Sequence, residues 1–410
     1  MDRYDVIVIG GGPIGAVAAR EAAKAGARTL LVERRREMKG PIACTGLIGP
    51  RTLSTLGASA GCVLREIRAV VGHAPDGSRL SLRADEVKGL VIDRRILEAE
   101  LLAQARSAGV EVLLGTEATV TEKGEVTLAF TAEKDRVEAE VIIGADGPRS
   151  KIARGSGLTP FSPPFSAAQA EIEATPEEED RVEVYFGRTV APGFFAWSVP
   201  AEEDRIRVGL AVPAGTNPQP FLERLLAERF PTGRVLSRVF GLIPSRPTDQ
   251  SVADRVILVG DAAGQVKPLT GGGLYTGGIC ASIAGRTAAR AALSGRGDRA
   301  TLAEYEVEWL NEIGSEIRFG LAARETLLPL DDPELLWFIA KTGDIDRPSL
   351  LISALIHRPW LWERILPVVG IIDERKRAMA VIESFGRGAR TSYNLIDNGE
   401  AERQEGKSDS

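Results

Sequence analysis

Residues 4 to 34, YDVIVIGGGPIGAVAAREAAKAGARTLLVER, have the pattern of a strand, a glycine-rich turn, a helix and a second strand. The run Val6 to Ile9 is apolar, as expected for a strand buried in a parallel sheet. The turn holds three glycines at G-x-G-x-x-G spacing, Gly10, Gly12 and Gly15, and the helix opens with Pro13 and Ile14. Such glycines permit a tight turn, close approach of a pyrophosphate to the backbone, and close packing of helix on strand. The stretch predicts a Rossmann-type dinucleotide-binding fold, with these five residues as candidate cofactor contacts.

An acidic residue closes the second predicted strand. Glu33 lies about 20 residues after the glycine motif, where a carboxylate accepts hydrogen bonds from ribose hydroxyls. An acid at this position disfavours a ribose phosphate, so the arginines at 34 to 36 are interpreted as a solvated or ribose-edge cluster, with Arg34 as a candidate contact. The nucleotide is then FAD or NAD.

Composition excludes several classes of function. A chain of 410 residues with 44% hydrophobic and 26% charged residues is expected to form two connected globular domains. The net charge of −6 gives no reason to expect nucleic-acid binding. No export signal and no apolar run long enough to span a membrane is recognised, so we expect a cytoplasmic protein. The three cysteines and two histidines are scattered along the sequence, at Cys44, Cys62, Cys280, His73 and His357. This spacing predicts no metal site, so any redox chemistry would depend on an organic cofactor.

A second glycine-rich stretch, LVGDAAGQVKPLTGGGLYTGG, spans residues 258 to 278. The apolar run from Val256 to Val259 predicts a buried strand that delivers Gly260 and Asp261 to the ligand crevice, where the acid can accept a hydroxyl of a sugar-like chain. Three glycines, Gly271, Gly272 and Gly273, precede a predicted helix. The N-terminal amides of that helix can stabilise the negative charge of a reduced flavin ring. FAD, being longer than NAD, needs this second anchoring segment.

These motifs together resemble the p-hydroxybenzoate hydroxylase-like flavoprotein superfamily. The matching signatures are GGGPIG at 10 to 15, VIIGADGPRSKIAR at 141 to 154, and GDAAG at 260 to 264. The resemblance implies FAD as cofactor, with contacts from Asp146 and Gly147. It also implies a cofactor-contacting arginine at Arg94 and a backbone contact to adenine at Ala118, for which surface ion pairing and strand packing are the alternatives.

Within that superfamily the sequence resembles the geranylgeranyl reductase family. The late glycine stretch is similar to that family's version, including Tyr275, and ACTGLIGP at 43 to 50 places Cys44 and Gly46 where the family often has a cysteine next to the flavin. PGFFAWSVP at 192 to 200 is similar to the family's pattern P-x-x-Y-x-W-x-F-P, but Phe195 lacks the tyrosine hydroxyl. The resemblance implies a prenyl-binding wall at Phe195 and Trp197, for which core packing is the alternative.

The predicted fold is α/β, with a Rossmann-type FAD-binding domain, an inserted antiparallel-sheet substrate domain and a helical C-terminal region. We assign residues 1–65, 88–160 and 250–300 to the FAD domain. Residues 66–87 and 161–249 form the substrate domain, because stretches such as RVEVYFG and RIRVGLAV alternate in polarity. Residues 301–397 are predicted helical, and the polar tail 398–410 is predicted disordered.

The resemblance implies an FAD-dependent reductase that saturates C=C bonds of geranylgeranyl chains. The family's substrates carry this group on an archaeal-type membrane glycerolipid, which we expect here, or on a quinone or a chlorophyll precursor, and the residues do not separate the three. Cys44, Tyr275 or water is the candidate proton donor. With no second dinucleotide motif, the electron donor is expected to dock transiently, as ferredoxin, NAD(P)H or a deazaflavin. The segment around Trp360 and Trp362 predicts peripheral membrane contact. Two alternatives stay open: an aromatic-ring monooxygenase that uses NAD(P)H and dioxygen, and a flavin-bound prenyl carrier without turnover.

Overall fold

The structure, a computed structural model, describes residues 2–38, 40, 42–120, 126–130, 133–159, 164–327 and 332. The predicted helices that continue to residue 397, the polar tail and the segment around Trp360 and Trp362 lie outside the described residues. Within the described part of the chain, no helix is both long and apolar enough to cross a membrane.

Runs of strands are separated by α-helices along the described chain. The strands are β1 (Arg3–Ile9), β2 (Thr29–Glu33), β3 (Leu47–Ile48), β4 (Val63–Ile67), β5 (Ala69–His73), β6 (Arg79–Arg83), β7 (Gly89–Ile92), β8 (Glu111–Leu114), β9 (Glu117–Val120), β10 (Val126–Phe130), β11 (Glu133–Gly144), β12 (Phe165–Glu173), β13 (Arg181–Tyr185), β14 (Ala196–Pro200), β15 (Arg205–Val212), β16 (Arg234–Ile243), β17 (Val252–Ala253) and β18 (Val256–Leu258). The α-helices are α1 (Pro13–Lys24), α2 (Arg51–Leu56), α3 (Arg94–Ser107), α4 (Lys151–Gly155), α5 (Gln219–Arg229), α6 (Leu274–Leu293) and α7 (Arg299–Leu327).

The first sheet has a parallel centre. Its strands lie in the order β17-β18-β11-β1-β2-β8, and every neighbouring pair from β18 to β8 is parallel. The strands β9 and β10 extend β11 as an antiparallel arm. Because parallel strands end at the same edge, the loops after β1, β2, β11 and β18 meet there, as the sequence predicted for a ligand crevice.

Two apolar layers bury the parallel sheet. On one face, buried residues of α1, α3, α6 and α7 form a single core with alternate residues of β1, β2 and β11. On the other face, the remaining alternate residues pack against the antiparallel arm and α4. Helices α1 and α6 approach closely, since a Cβ on Gly285 would lie 2.4 Å from the carbonyl oxygen of Ala18. The small residues of both helices are therefore a packing requirement.

A seven-stranded sheet has the order β16-β12-β15-β14-β13-β5-β6. All its pairs are antiparallel except β13 with β5, which run parallel. Leucines of α5 cover one face, and the predicted strands RVEVYFG and RIRVGLAV are β13 and β15. The predicted α/β class with an inserted antiparallel sheet is confirmed, whereas the division of the chain into separate domains stays a prediction.

A third sheet has three strands, all from residues 47–92. Its order is β3-β7-β4, with both pairs antiparallel. Val91 of β7 packs in one buried cluster with Val182 and Val199 of the seven-stranded sheet. The loop that leads into β3 contains Cys44, so this packing brings that loop to the seven-stranded sheet.

Candidate cofactor and substrate site

In the first glycine turn, Gly10 and Gly15 are tightly packed, whereas Gly12 faces open space. Gly10 has φ +110°, and a Cβ there would lie 2.3 Å from the carbonyl oxygen of Ala145. A Cβ on Gly15 would lie 1.8 Å from the carbonyl oxygen of Gly10. Gly12 caps α1, Pro13 follows it, and a Cβ on Gly12 would meet no atom within 4 Å. The turn thus presents bare backbone and a helix N-terminus to open space, which fits a pyrophosphate.

The carboxylate of Glu33 locks the shape of this turn. Its Oε2 accepts a hydrogen bond from the backbone N–H of Gly11 at 2.7 Å. Its Oε1 accepts from the backbone N–H and the Nε of Arg35, at 2.8 and 3.1 Å. Glu33 is buried and Arg34 is exposed. A carboxylate oxygen can accept a second hydrogen bond, so Glu33 can still serve a ribose hydroxyl.

A buried ion network continues from this turn to the start of α3. Glu98 accepts hydrogen bonds from Arg35 at 3.1 Å and from Arg94 at 2.7 Å. Desolvation lowers the pKa of Arg94, but the neighbouring Cys44 and Glu98 side chains outweigh this effect. The pKa is raised above its ordinary value, so the guanidinium stays charged. The Nε of Arg94 is buried and has no hydrogen-bond partner in the described part of the chain. A buried donor without a partner is the feature expected where a ligand supplies the acceptor.

The loop after β11 borders the same turn. One oxygen of Asp146 accepts hydrogen bonds from the backbone N–H groups of Lys151 and Ile152, at 2.7 and 3.2 Å. Its other oxygen, Oδ1, is buried and has no partner among the described residues. A Cβ on Gly147 would meet no atom within 4 Å. Ala118 lies in β9 and is buried in the core on the face of the parallel sheet that α4 covers.

The turn after β18 is braced from inside the protein. Gln265 is fully buried, and its Oε1 accepts from the backbone N–H of Gly260 at 2.9 Å. Its amide donates to the hydroxyl of Tyr305 at 2.7 Å, which in turn donates to the carbonyl oxygen of Leu258 at 3.0 Å. This chain of hydrogen bonds fixes the turn that holds Asp261.

Asp261 is an acid at this sheet edge whose pKa is raised by burial. Desolvation raises the pKa of its carboxyl to about 6, against the opposing charge of Arg94. A Cβ on Gly273 would lie 2.8 Å from its Oδ1. A desolvated carboxylate that faces bare backbone fits an acceptor for a hydroxyl of the cofactor's sugar-like chain.

The three glycines before α6 leave room at one position and are tightly packed at another. A Cβ on Gly272 would find only Thr270 nearby, at 3.6 Å, whereas a Cβ on Gly271 would lie 2.6 Å from Ile243. Tyr275 lies in the first turn of α6, and the Nζ of Lys267 lies 5.1 Å from the centre of its ring. The open backbone before an α-helix of 20 residues fits the negative end of a flavin ring.

The loop that contains Cys44 is held by the seven-stranded sheet. The carbonyl oxygen of Cys44 accepts from Gln169 at 3.4 Å, and that of Thr45 accepts from Arg207 at 2.7 Å. The backbone N–H of Gly46 donates to the Cys44 sulfur at 3.4 Å, and a Cβ on Gly46 would lie 2.6 Å from Arg207. The thiol therefore sits beside Arg94, on a loop fixed by two side chains distant in sequence.

An aromatic row crosses the seven-stranded sheet, formed by Phe165, Phe194, Phe195 and Trp197. Phe194 lies between two neighbours, with ring centres 5.2 Å from Phe165 and 4.5 Å from Phe195. Phe195 contacts Trp197 edge-on at 5.9 Å. Such rings provide the apolar wall that a prenyl chain requires.

The aromatic row lies next to the candidate site at Phe194 and packs on the seven-stranded sheet at Trp197. A Cβ on Gly271 would lie 3.7 Å from the ring of Phe194, so the row contacts the glycine loop before α6. The indole of Trp197 lies flat over Gly209, whose Cβ would be 2.6 Å from the ring. Glycine at 209 is thus what lets the tryptophan lie against the sheet.

The structure brings most of the predicted contacts to one edge of the parallel sheet. Gly10, Glu33, Asp146 and Asp261 follow or end four neighbouring strands, and Arg94 and Cys44 lie beside them. Ala118 lies deeper in the core, and Arg34 points to solvent. The roles of these residues stay predictions.

Several side chains that position the site were not predicted from the sequence. Glu98 lies four residues after Arg94, an i,i+4 spacing that could have signalled the ion pair. No local signal marks Gln169 and Arg207, because their partners lie more than a hundred residues away in sequence. In the sequence, Gln265 is a polar residue within the glycine-rich stretch 258 to 278, and no pattern there indicates its hydrogen bonds.

Comparison with known proteins identifies the family. Residues 3–313 match the FAD binding domain family. The chain belongs to this family. It is 33% identical over 386 residues to digeranylgeranylglycerophospholipid reductase of Methanothrix thermoacetophila, a match that covers 88% of this chain and 98% of that protein. It is 35% identical over 348 residues to digeranylgeranylglycerophospholipid reductase 2 of Methanothermobacter thermautotrophicus, covering 81% and 90%.

Solved structures share the fold. A geranylgeranyl bacteriochlorophyll reductase-like protein from Thermoplasma acidophilum has a TM-score of 0.79 and 24% identity, over 90% of this chain and all of that one. A p-nitrophenol 4-monooxygenase from Pseudomonas putida has a TM-score of 0.68 and 19% identity, over 90% and 98%. These likenesses show the fold alone. The family and the relatives confirm three predictions: the geranylgeranyl reductase resemblance, the Rossmann-type fold, and FAD as the cofactor.

Proposed function

We propose that this protein is an FAD-dependent reductase that saturates C=C bonds in the geranylgeranyl chains of archaeal-type membrane glycerolipids. The observation that carries the proposal is the contact between the aromatic row and the glycine loop before α6, at Phe194 and Gly271. It joins an apolar wall to the open backbone where the flavin ring is expected. The names of the relatives, digeranylgeranylglycerophospholipid reductases, support the same substrate class.

The proposed cofactor contacts surround the edge of the parallel sheet. Gly12 and the start of α1 would hold the pyrophosphate, Glu33 the ribose, and Asp261 with Arg94 the chain between pyrophosphate and ring. The full set is Gly10, Gly12, Pro13, Ile14, Gly15, Glu33, Arg34, Cys44, Gly46, Arg94, Ala118, Asp146, Gly147, Gly260, Asp261, Gly271, Gly272 and Gly273. When bound and reduced, FAD supplies the hydride for the alkene.

The chain's own residues position the alkene and supply the proton. An isolated C=C bond is not polarised, so orientation and proton delivery are the demanding parts of the reaction. Phe195 and Trp197 would bind the prenyl chain and exclude water. The thiol of Cys44, fixed beside Arg94, and the hydroxyl of Tyr275, beside Lys267, are the two proposed proton donors. Cys44→Ser and Tyr275→Phe, assayed for single-turnover rate, would show which side chain supplies the proton.

An anaerobic experiment tests the function. The purified holoenzyme is reduced with dithionite, a geranylgeranylated glycerophospholipid is added, and flavin absorbance and product mass are followed together. We expect flavin reoxidation and a mass gain of whole hydrogen pairs. A flavin that stays reduced until oxygen is admitted, with oxygen uptake coupled to hydroxylation of an aromatic compound, would instead support a monooxygenase. Lipid binding without reoxidation under any reductant would support a prenyl carrier.

The electron donor and membrane contact belong to the same proposal. We propose transient docking of ferredoxin, NAD(P)H or a deazaflavin, to be distinguished by the rate at which each reduces the enzyme-bound flavin. We propose peripheral membrane contact through the segment around Trp360 and Trp362, because the substrate is a membrane lipid. Unchanged liposome binding after both tryptophans are replaced by alanine would contradict this contact.

A further inference from the structure

Arg324 of α7 is a buried cation held against aromatic rings. Its exposed fraction is 8%, and its guanidinium carbon lies 3.9 Å from the ring centre of Phe165 and 5.1 Å from that of Phe194. Its Nη1 donates to the carbonyl oxygen of Pro268, in the loop that leads to the three glycines before α6. Desolvation lowers the pKa of Arg324 to about 10. The arginine therefore sits where the aromatic row meets that loop.

No carboxylate neutralises this cation in the described part of the chain. Arg324 forms no ion pair there, although the exposed Glu325 is its neighbour in sequence. Buried charges in proteins are normally paired, because an uncompensated charge away from water is costly. A guanidinium carries five N–H donors, and the Pro268 carbonyl uses one of its nitrogens. A bound anion would supply the missing partner.

A cavity of about 380 Å³ opens beside Arg324. Its lining includes a second cation, Arg246, whose side chain is half exposed and lies 3.9 Å from the carboxylate of Asp249. One acidic residue, the exposed Glu325, also lines the cavity. The hydroxyl of Ser245 adds a hydrogen-bonding group, and Phe165 and Leu321 add apolar surface. The volume falls in the range of small-molecule sites. Two guanidinium groups and a hydroxyl are suited to a phosphate ester.

The cavity lies at one end of the aromatic row. The row runs from Trp197 through Phe195 and Phe194 to Phe165, and Arg324 stacks on its last two rings. An apolar wall that ends in buried positive charge is complementary to an amphiphile with an anionic head. We propose that Arg324, together with Arg246, binds the phosphate of the lipid substrate's head group, an assignment that rests on the proposed function.

A structural role for Arg324 makes different predictions. As a clamp between Pro268, Phe165 and Phe194, it would support the site for any lipid, charged or neutral. As a phosphate ligand, it would discriminate between lipids that differ only in the phosphate. The test is therefore a comparison of two lipids.

Binding of two saturated lipids to the oxidised holoenzyme tests the proposal without turnover. A dialkylglycerol phosphate and the corresponding dialkylglycerol are titrated in the same detergent, and the change in flavin absorbance is followed. We expect the native protein to bind the phosphorylated lipid about tenfold to a hundredfold more tightly. Arg324→Gln should remove this preference and leave the affinity for the neutral lipid unchanged. Arg318→Gln, an exposed arginine on the same helix, should keep the preference.

Four outcomes would overturn the assignment. The first is no preference for phosphate in the native protein, and the second is an equal loss of affinity for both lipids in Arg324→Gln.

If that variant does not fold, Arg246→Gln decides, because a half-exposed side chain tolerates replacement. We expect the preference to fall about threefold to tenfold, and an unchanged preference is the third outcome, which overturns the two-arginine site. The fourth is displacement of the phosphorylated lipid by NADP⁺ but not by NAD⁺, which would assign the site to an electron donor.

The test separates this proposal from the proposed function. Saturated lipids cannot be reduced, so a phosphate preference with no reduction of the unsaturated lipid would contradict the reductase and leave the phosphate site standing. Reduction of phosphorylated and neutral lipids bound with equal affinity would keep the reductase and overturn the phosphate site.

Discussion

The carboxylate of Glu98 accepts a hydrogen bond from Arg94 at 2.7 Å, and only 3% of the Glu98 side chain is exposed. Its other oxygen binds Arg35, which in turn binds Glu33. One buried acid thus connects the ribose end of the candidate FAD site with the arginine beside Cys44. Because it compensates two cations, its removal leaves charge uncompensated in the interior.

Glu98→Gln is expected to lower the free energy of unfolding by about 3 kcal/mol, since breaking a buried ion pair strands its partner. The measurement is urea denaturation of the FAD-free protein at neutral pH. Glu86→Gln is the control, because Glu86 is 83% exposed in its pair with Lys88 and should change stability by less than about 1 kcal/mol. Equal effects in the two variants would contradict a structural role for Glu98.

A partly buried acid, Glu183, makes the stability of the seven-stranded sheet depend on pH. Glu183 lies 2.6 Å from the Nε2 of His73 and 2.8 Å from Arg181. Desolvation raises its pKa, but the hydrogen bonds of His73 and Arg181 outweigh it and lower the pKa to about 2, from 4.5. A carboxyl whose pKa is depressed by folding stabilises the fold above 4.5, and this contribution is lost as the pH falls towards 2.

Glu183→Gln should therefore cost about 3 kcal/mol of unfolding free energy at pH 6 and clearly less at pH 3. Urea denaturation of both proteins at the two pH values gives the comparison. Glu202→Gln, which removes a half-exposed partner of Arg205, should show no such pH dependence. A difference between native protein and Glu183→Gln that is the same at both pH values would contradict the assigned shift.

The elements of the site were predictable where the signal is local. Gly10, Gly12 and Gly15 require a specific turn, and the apolar run before Asp261 requires a buried strand, so short patterns were enough to place them at one sheet edge. The fold class followed from the same periodicity and from the family resemblance.

Contacts that join distant parts of the chain left no such signal. Gln169 and Arg207 lie on strands of the second sheet, and nothing in their neighbourhoods indicates that they bind the loop of Cys44. The parallel pairing of β13 with β5 depends on how two separate segments meet, which alternation of polarity does not encode. In the sequence, Arg324 is one of several charged residues of a long predicted helix. Only its packing on Phe165, seen in the structure, distinguishes it from the other charged residues.

Two glycines of the same motif should respond in opposite ways to alanine. Gly12 has φ −68° and an open Cβ position, so Gly12→Ala should leave the FAD-free protein unchanged or stabilise it by up to about 1 kcal/mol. The new methyl group would occupy the space proposed for the pyrophosphate, and the Kd for FAD should rise at least about tenfold. Gly15→Ala should destabilise the fold by about 3 kcal/mol, because its Cβ would lie 1.8 Å from Gly10.

Thermal unfolding of the FAD-free variants and fluorescence titration with FAD separate the two effects. Unchanged FAD affinity in Gly12→Ala would place the pyrophosphate elsewhere.

Asp261→Asn should make the protein more stable and bind its cofactor less well. Folding raises the pKa of Asp261 from 3.8 to about 6, so the folded state holds a proton that the unfolded state releases in this range. Stability contributed by this group is therefore present below pH 3.8 and is lost as the pH rises through about 6. The asparagine variant lacks this loss, so the FAD-free variant should exceed the native protein by about 3 kcal/mol at pH 8 and show no excess at pH 3.5.

The opposite change is expected for the cofactor, because the amide is a weaker acceptor than a carboxylate for a sugar-like hydroxyl, and the Kd for FAD at pH 8 should rise about tenfold. Urea denaturation at the two pH values and FAD titration at pH 8 measure the two effects. Asp254→Asn, an exposed acid in the turn between β17 and β18, is the control and should leave FAD affinity unchanged. A carboxylate retained at a cost in stability is what a binding site requires, whereas a residue kept for packing would lose stability on replacement.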